Sequence, residues 1–251
     1  NDSPATRYGR WMLGLLRGDL GLSHAYSTPV AGLIAERLAL TLPLALLAMG
    51  LSALLALTAG VYAASRHGRA GDWLVSGFSQ LGLALPSFWF AILLILLFSV
   101  WLQWLPAGGF PGWTEAQGGG LWPALQALLL PALALAVVQA AVLARITRSA
   151  VLELVQQDFV RTARAKGLSR RQALWGHVLR NAMVPVLTVM GLQFANLLAG
   201  TLVIENVFYL PGLGRLIFQA IANRDAIVVQ NCVLLLAALV VLVNFVVDVL
   251  A

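Results

Sequence analysis

Five runs of twenty or more residues, almost free of charge, constrain this chain more than any other feature: roughly 38–63, 81–104, 122–144, 184–206 and 227–250. About 20 apolar residues in a helix cross a hydrocarbon core of about 30 Å. Inside that core no water serves the backbone, so each run must close its own hydrogen bonds as a helix. Pro43, Gly50, Pro86, Pro131, Gly191 and Gly200 punctuate the runs, residues that membrane helices tolerate and that let neighbours approach closely. Of the 251 residues 60% are hydrophobic and 10% charged, against about 45–50% and about 25% in soluble domains. The polar surface is too small to cover a water-soluble globule. The fold class is therefore all-α, a polytopic transmembrane helix bundle.

The charges give the bundle a direction. The net charge of +6 forms no face or groove of the kind that binds nucleic acid; the arginines fall between the apolar runs. Short cytoplasmic loops carry the excess of Arg and Lys. Arg66 and Arg69 follow the first run, and Arg145, Arg148, Arg161, Arg164, Lys166, Arg170, Arg171 and Arg180 separate the third from the fourth. The stretch Pro106–Gly120 has no basic residue and is bracketed by Trp101, Trp104, Trp113 and Trp122, an interfacial aromatic belt. The expected topology places 1–36 outside, 64–80 inside, 105–121 outside, 145–183 inside, 207–226 outside and the C-terminus inside. An extracytoplasmic segment 1–36 thus precedes a membrane domain 37–251. Because 1–36 lies outside, a further span upstream is expected, making the five visible spans part of six, and residues are expected beyond both ends.

The inside segment 145–183 carries the most information. A first helix is predicted to end at Gly167, with Arg164 and Lys166 favourably placed in its last turn. Ser169-x-x-Gln172 is a capping box that opens a second helix. On that helix Leu174, Trp175, Val178 and Leu179 form an apolar stripe opposite Arg170, Arg171 and His177. The stripe suits equally a seat on the lipid surface or the bundle's own base, and a docking face for a partner.

Here the residues resemble a known family. Arg161-Thr162-Ala163 followed by Gly167 has the spacing of the loop motif of permease subunits of bacterial ATP-binding-cassette importers, Glu-Ala-Ala-x-x-x-Gly. The continuation differs, since the general motif soon reaches Ile-x-Leu-Pro whereas this chain has His177-Val178-Leu179-Arg180 and delays its proline to Pro185. That wording, with Gly14–Gly21, Leu85–Trp89, Ile204–Arg215 and Asn223–Asp225, is similar to the branch importing dipeptides, oligopeptides and nickel. The resemblance implies one of two permease subunits, paired with a second homologous permease, two cytoplasmic ATPases and an extracytoplasmic solute-binding protein, in a bacterial inner membrane. It also implies that Arg161, Thr162, Ala163, Arg164, Lys166, Gly167, Leu168 and Ser169 couple the chain to an ATPase. ATP and Mg would belong to those partner subunits, with no cofactor in this chain.

The residues agree with that division. The only lysine, Lys166, lies in no phosphate-binding Gly-x-x-x-x-Gly-Lys-Ser/Thr motif. Cys232 is single and His24, His67 and His177 have no ligand spacing, so no metal site and no catalytic residue is expected. An ion-coupled secondary transporter or channel subunit is the alternative, disfavoured because no run carries a charge at mid-depth; Asp72, Glu205 and Asp248 lie near ends. Gln193 and Asn196 share a face of the fourth run and are the candidates to line a path. In the outside stretch 206–226, Pro211-Gly212 reads as a turn and 213–222 as a short helix. It either folds back as an outer gate, with Pro211, Gly212 and Arg215, or lies among the headgroups.

Overall fold

A computed structural model describes residues 2–250 of the chain; Asn1 and Ala251, the limits of the two expected segments, lie outside the described residues. The helices are α1 (Pro4–Leu16), α2 (Val30–Ser65), α3 (Ala70–Ala84), α4 (Ser87–Leu94), α5 (Leu121–Val155), α6 (Asp158–Ala165), α7 (Arg170–Ala173), α8 (Leu179–Val207), α9 (Leu213–Ala222) and α10 (Ala226–Leu250). Short π-helical turns extend α4 over Ile95–Trp101 and join α7 to α8 over Leu174–Val178. Among the described residues four helices are long and apolar enough to cross a membrane, five if α3 and α4 count as one bent span.

Helix α5 is the hub, with α2, α3, α4 and α8 packed around it. Two thirds of its most apolar window is buried (67%), against none of that of α10. Lipid tails give helices no hydrophobic reason to associate, so close packing through small side chains must hold them. Gly60 of α2 shows this: a Cβ there would stand 2.5 Å from Cβ of Thr147 on α5. Gly82 of α3 is as close to Ala141, at 2.7 Å. Leu128, Leu135, Leu44, Phe194 and Leu197 fill the core between these helices, while Val241, Leu242 and Phe245 of α10 face outward.

The apolar run 81–104 is not one straight span. Helix α3 begins at Ala70, inside the stretch 64–80 expected as a loop, and meets α4 at a bend of 109°. Pro86 is the cause: it has no amide hydrogen and drives the residue before it out of the helical region, and Leu85 sits at φ −89°, ψ 129°. Pro43, Pro131 and Pro185 stay inside α2, α5 and α8. The helices also outrun the apolar runs. Helix α2 starts at Val30, within the expected outer segment 1–36, and α5 and α8 take up 145–155 and 179–183 of the expected loop 145–183. At 36 residues α2 is about 54 Å long at about 1.5 Å per residue, so its ends stand clear of a hydrocarbon core of about 30 Å.

Replacing Gly60 by Val is expected to force α2 from α5 and destabilise the bundle by about 1–3 kcal/mol, the usual cost of overpacking. Gly50→Ala, where the added Cβ meets nothing within 4 Å, should be neutral. Unfolding midpoints of the detergent-solubilised protein distinguish the two.

Candidate functional site

At the arginine-rich end, the chain between α5 and α8 folds as two short helices about a glycine. Helix α6 stops at Lys166, and Gly167 takes φ +94°. Gly167 N donates to Arg164 O at 3.0 Å and Leu168 N to Ala163 O at 3.3 Å, the paired bonds that close a helix through a left-handed residue. A Cβ on Gly167 would meet nothing within 4 Å, so within this chain glycine is demanded by backbone conformation and not by space. Ser169 then caps α7. Its hydroxyl accepts from Gln172 N at 3.2 Å, and its own amide donates to Gln172 Oε1 at 2.9 Å.

The unit is seated firmly. Val160, Ala173, Leu174 and Val178 are buried with Val61 and Ala64 of α2, Val151 of α5 and Ala182 of α8. Of the two alternatives for the apolar stripe, the bundle's own base therefore takes most of it, which leaves only Trp175 well exposed. The other face is open and cationic: Arg161, Thr162, Arg164, Lys166, Gly167 and Ser169 are exposed, Leu168 is half-buried and Ala163 buried. Among the described residues Arg161 pairs only with its neighbour Asp158, at 3.6 Å and with both side chains largely exposed, a contact of little energetic weight. Arg161, Arg164, Arg170 and His67 surround a cavity of about 320 Å³ floored by Val160, Leu174 and Val178.

Beside it, Arg148 of α5 grips Asp72 of α3 with both arms of its guanidinium, at 2.6 and 2.9 Å, while Gly68 N donates to the same carboxylate at 3.0 Å. Asp72 is 5% exposed, so this pair fastens the α2–α3 connection to α5. Nothing in the local sequence announces it, because the partners stand 76 residues apart.

At the opposite, tryptophan-rich end a short helix folds back onto the bundle, a lid by position. Helix α9 spans 213–222 as expected and lies against the bundle, with Leu213, Leu216, Ile217 and Ala220 buried among Val30, Ile34, Val228 and Cys232. It is anchored by a fully buried acid that sequence reasoning placed merely near an end. Glu205 of α8 accepts from Thr41 Oγ1 of α2 at 2.5 Å and from Gly214 N at 2.7 Å, while Leu213 N donates to Thr41 Oγ1 at 2.9 Å. The first amides of α9 thus find acceptors, and a carboxylate sits where the helix dipole favours it. Gly212 is extended rather than left-handed, at φ −105°; glycine is needed because any Cβ would strike the Glu205 carboxylate. Pro211 is exposed, and the guanidinium of Arg215 stacks 5.7 Å above the Tyr209 ring. The loop before α5 closes onto this lid: Gly109 N donates to Phe208 O at 2.8 Å and Trp113 Nε1 to Ala39 O at 2.9 Å. Trp101, Trp104 and Trp122 remain exposed as a belt.

A second buried acid locks the N-terminal segment to the lid's far end. Asp225 caps α10, accepting from Val228 N at 3.4 Å, and also accepts from Ser23 Oγ and from Ala25 N at 3.2 Å. Burial pushes its carboxyl up, but the hydrogen bonds from Ser23, Ala25 and Val228 outweigh this and hold it below the usual range.

Of the two path candidates, Gln193 is half-buried and its Oε1 has no hydrogen-bond partner among the described residues, whereas Asn196 is exposed on the same face of α8.

Together, the structure is a membrane bundle with a basic two-helix loop at one end and a buried lid at the other, and its family and relatives make it the permease subunit of an ATP-driven importer. Residues 56–251 match the family described as binding-protein-dependent transport system inner membrane component, and the chain belongs to it. A Brucella suis protein named as a peptide transport system permease is 46% identical over 250 residues, 99% of this chain and 78% of that protein. The di/tripeptide transport system permease protein DppB of Pseudomonas aeruginosa is 43% identical, over 97% of this chain and 77% of its own. The fold matches that of the MetNI methionine transporter in an inward-facing conformation, with a TM-score of 0.66, 20% identity, and coverage of 87% of this chain and 94% of that one.

The Asp225 latch has a testable pH signature. A depressed carboxyl stabilises fully above its unfolded value, near 3.9, and loses that contribution as pH falls through the folded value. The gap in unfolding midpoint between the native chain and Asp225→Asn is expected to be wide at pH 7 and to close as pH falls below the ordinary carboxylate range.

Proposed function

We propose that this chain forms half of the path of a peptide importer, beside a second homologous permease, with two ATPases in the cytoplasm and an extracytoplasmic binding protein that delivers the peptide. Peptide is favoured over nickel because the similar proteins are named as peptide permeases. The arginine-rich end faces the cytoplasm by the positive-inside rule, so the segment before α2 lies outside and the C-terminus inside. ATP and Mg act in the partner ATPases.

One observation carries the coupling assignment: the exposed cationic turn Arg161–Ser169 stands on helices buried in a core shared with α2, α5 and α8. An ATPase that gripped Arg161, Arg164 and Lys166 and moved on binding ATP would drag three spans with it, because a close-packed core transmits displacement rather than absorbing it. Thr162, Ala163, Leu168 and Ser169 shape the turn, and Gly167 gives the partner backbone room to approach. At the outer end the α9 lid, with Pro211, Gly212 and Arg215, gates entry, and Gln193 and Asn196 offer amides to the peptide inside.

Gly167→Val tests the coupling. A β-branched residue at φ +94° costs about 1–2 kcal/mol locally, so the turn deforms while the spans stay folded. ATP-driven peptide uptake by the reconstituted assembly should fall at least about tenfold, and Arg161→Glu with Arg164→Glu should do the same by repelling the ATPase. Uptake at the wild-type rate in both variants overturns the assignment. Gly212→Ala is expected to unseat α9 from Glu205, read out as faster labelling of Cys232, which is buried against α9.

A further inference from the structure

On the other side of Leu174 from the coupling cavity lies a second cavity of about 510 Å³, between the end of α2 and the α7–α8 connection. Arg66, Arg69, Arg170 and Arg171 line it, and no carboxylate does. None of the four makes an ion pair among the described residues, and all are exposed. Four unpaired guanidiniums around one open space repel each other, which an anion between them would relieve. The remaining wall is amphipathic: Tyr62 and Trp175 are 47% and 39% exposed, and Ser65, whose hydroxyl donates to Tyr62 O at 2.7 Å, lies between Tyr62 and Arg66.

The depth of this cavity identifies the anion's source. Trp113 bonds to Ala39 O and marks the interface at the far end of α2. About 20 residues at about 1.5 Å each then cross the hydrocarbon core, which brings its other boundary to about Ala59. Tyr62 and Arg66 lie about 5 and 10 Å beyond, within the headgroup layer. Trp73, at 74% exposure on the first turn of α3, joins Tyr62 and Trp175 as an aromatic belt at the same level.

We infer that this cavity is a binding site for the headgroup of an anionic phospholipid of the inner leaflet, its phosphate held by Arg66, Arg69, Arg170 and Arg171 and its glycerol by Tyr62 and Trp175. Arginine matches a phosphate's oxygens in a bidentate fork, and acyl chains leave the site along the apolar surface of α3, where Leu74 and Phe78 are exposed. The site takes its leaflet from the orientation proposed above, but Arg66 and Arg69, the arginines replaced below, belong neither to the Arg161–Ser169 turn nor to the cavity beside it. The two readings therefore fail separately.

The test uses the intact importer in detergent and native mass spectrometry, titrating phosphatidylglycerol and phosphatidylcholine. The wild type should retain phosphatidylglycerol selectively. Arg66→Gln with Arg69→Gln should weaken it about thirty-fold, the factor expected when two arginines leave an anionic surface, and added salt should mimic the loss. Arg17→Gln, at the other end, should leave retention unchanged. Undiminished phosphatidylglycerol binding by the double variant overturns the site. So does displacement of the lipid by equimolar glycerol 3-phosphate, which would make it a soluble-phosphate site. Loss of the ATPases from the double variant with lipid binding intact would make the cavity a protein interface instead.

Discussion

The close approach of α2, α3 and α8 to α5 is the contact on which the rest of the molecule depends. A bilayer offers no hydrophobic gain for helix association, so the bundle exists only because small side chains let backbones meet. Thr147 against Gly60 and Ala141 against Gly82 are such meetings. Once α5 is enclosed, its ends become fixed points. One end supports the basic loop through Val151, and the other is covered by the loop that reaches Ala39 and Phe208.

Polar side chains act where this packing ends. The Arg148–Asp72 pair closes the arginine-rich end, and the Glu205–Thr41 and Asp225–Ser23 contacts close the other. Each joins elements distant in sequence, and each carboxylate is satisfied by several donors, as burial requires. The middle of the bundle is free of charge, while its two ends are fastened by directional bonds.

Much of this was legible in the residues. Ser169-x-x-Gln172 and Gly167 are local signals, because capping and left-handed turns depend on neighbours within one helical turn, and both appear as read. Helix α9 was legible for the same reason. The bend at Leu85-Pro86 had its signal in the proline, yet Pro43, Pro131 and Pro185 send the same signal and stay within helices. Whether a proline breaks a span depends on whether neighbours satisfy the freed carbonyl, which is a tertiary matter.

The sequence by itself determined that the chain lives in a bilayer, which loops carry the positive charge, and where the first helix of the basic loop ends and the second begins. Those properties follow from hydropathy, charge and local backbone bonding. Only the tertiary structure decided that the Leu174–Val178 stripe belongs to the bundle's base, that Glu205 anchors the lid, and that four arginines from two separate segments surround one cavity. These depend on which surfaces the packing around α5 brings together, and no periodicity within a single segment encodes its partner.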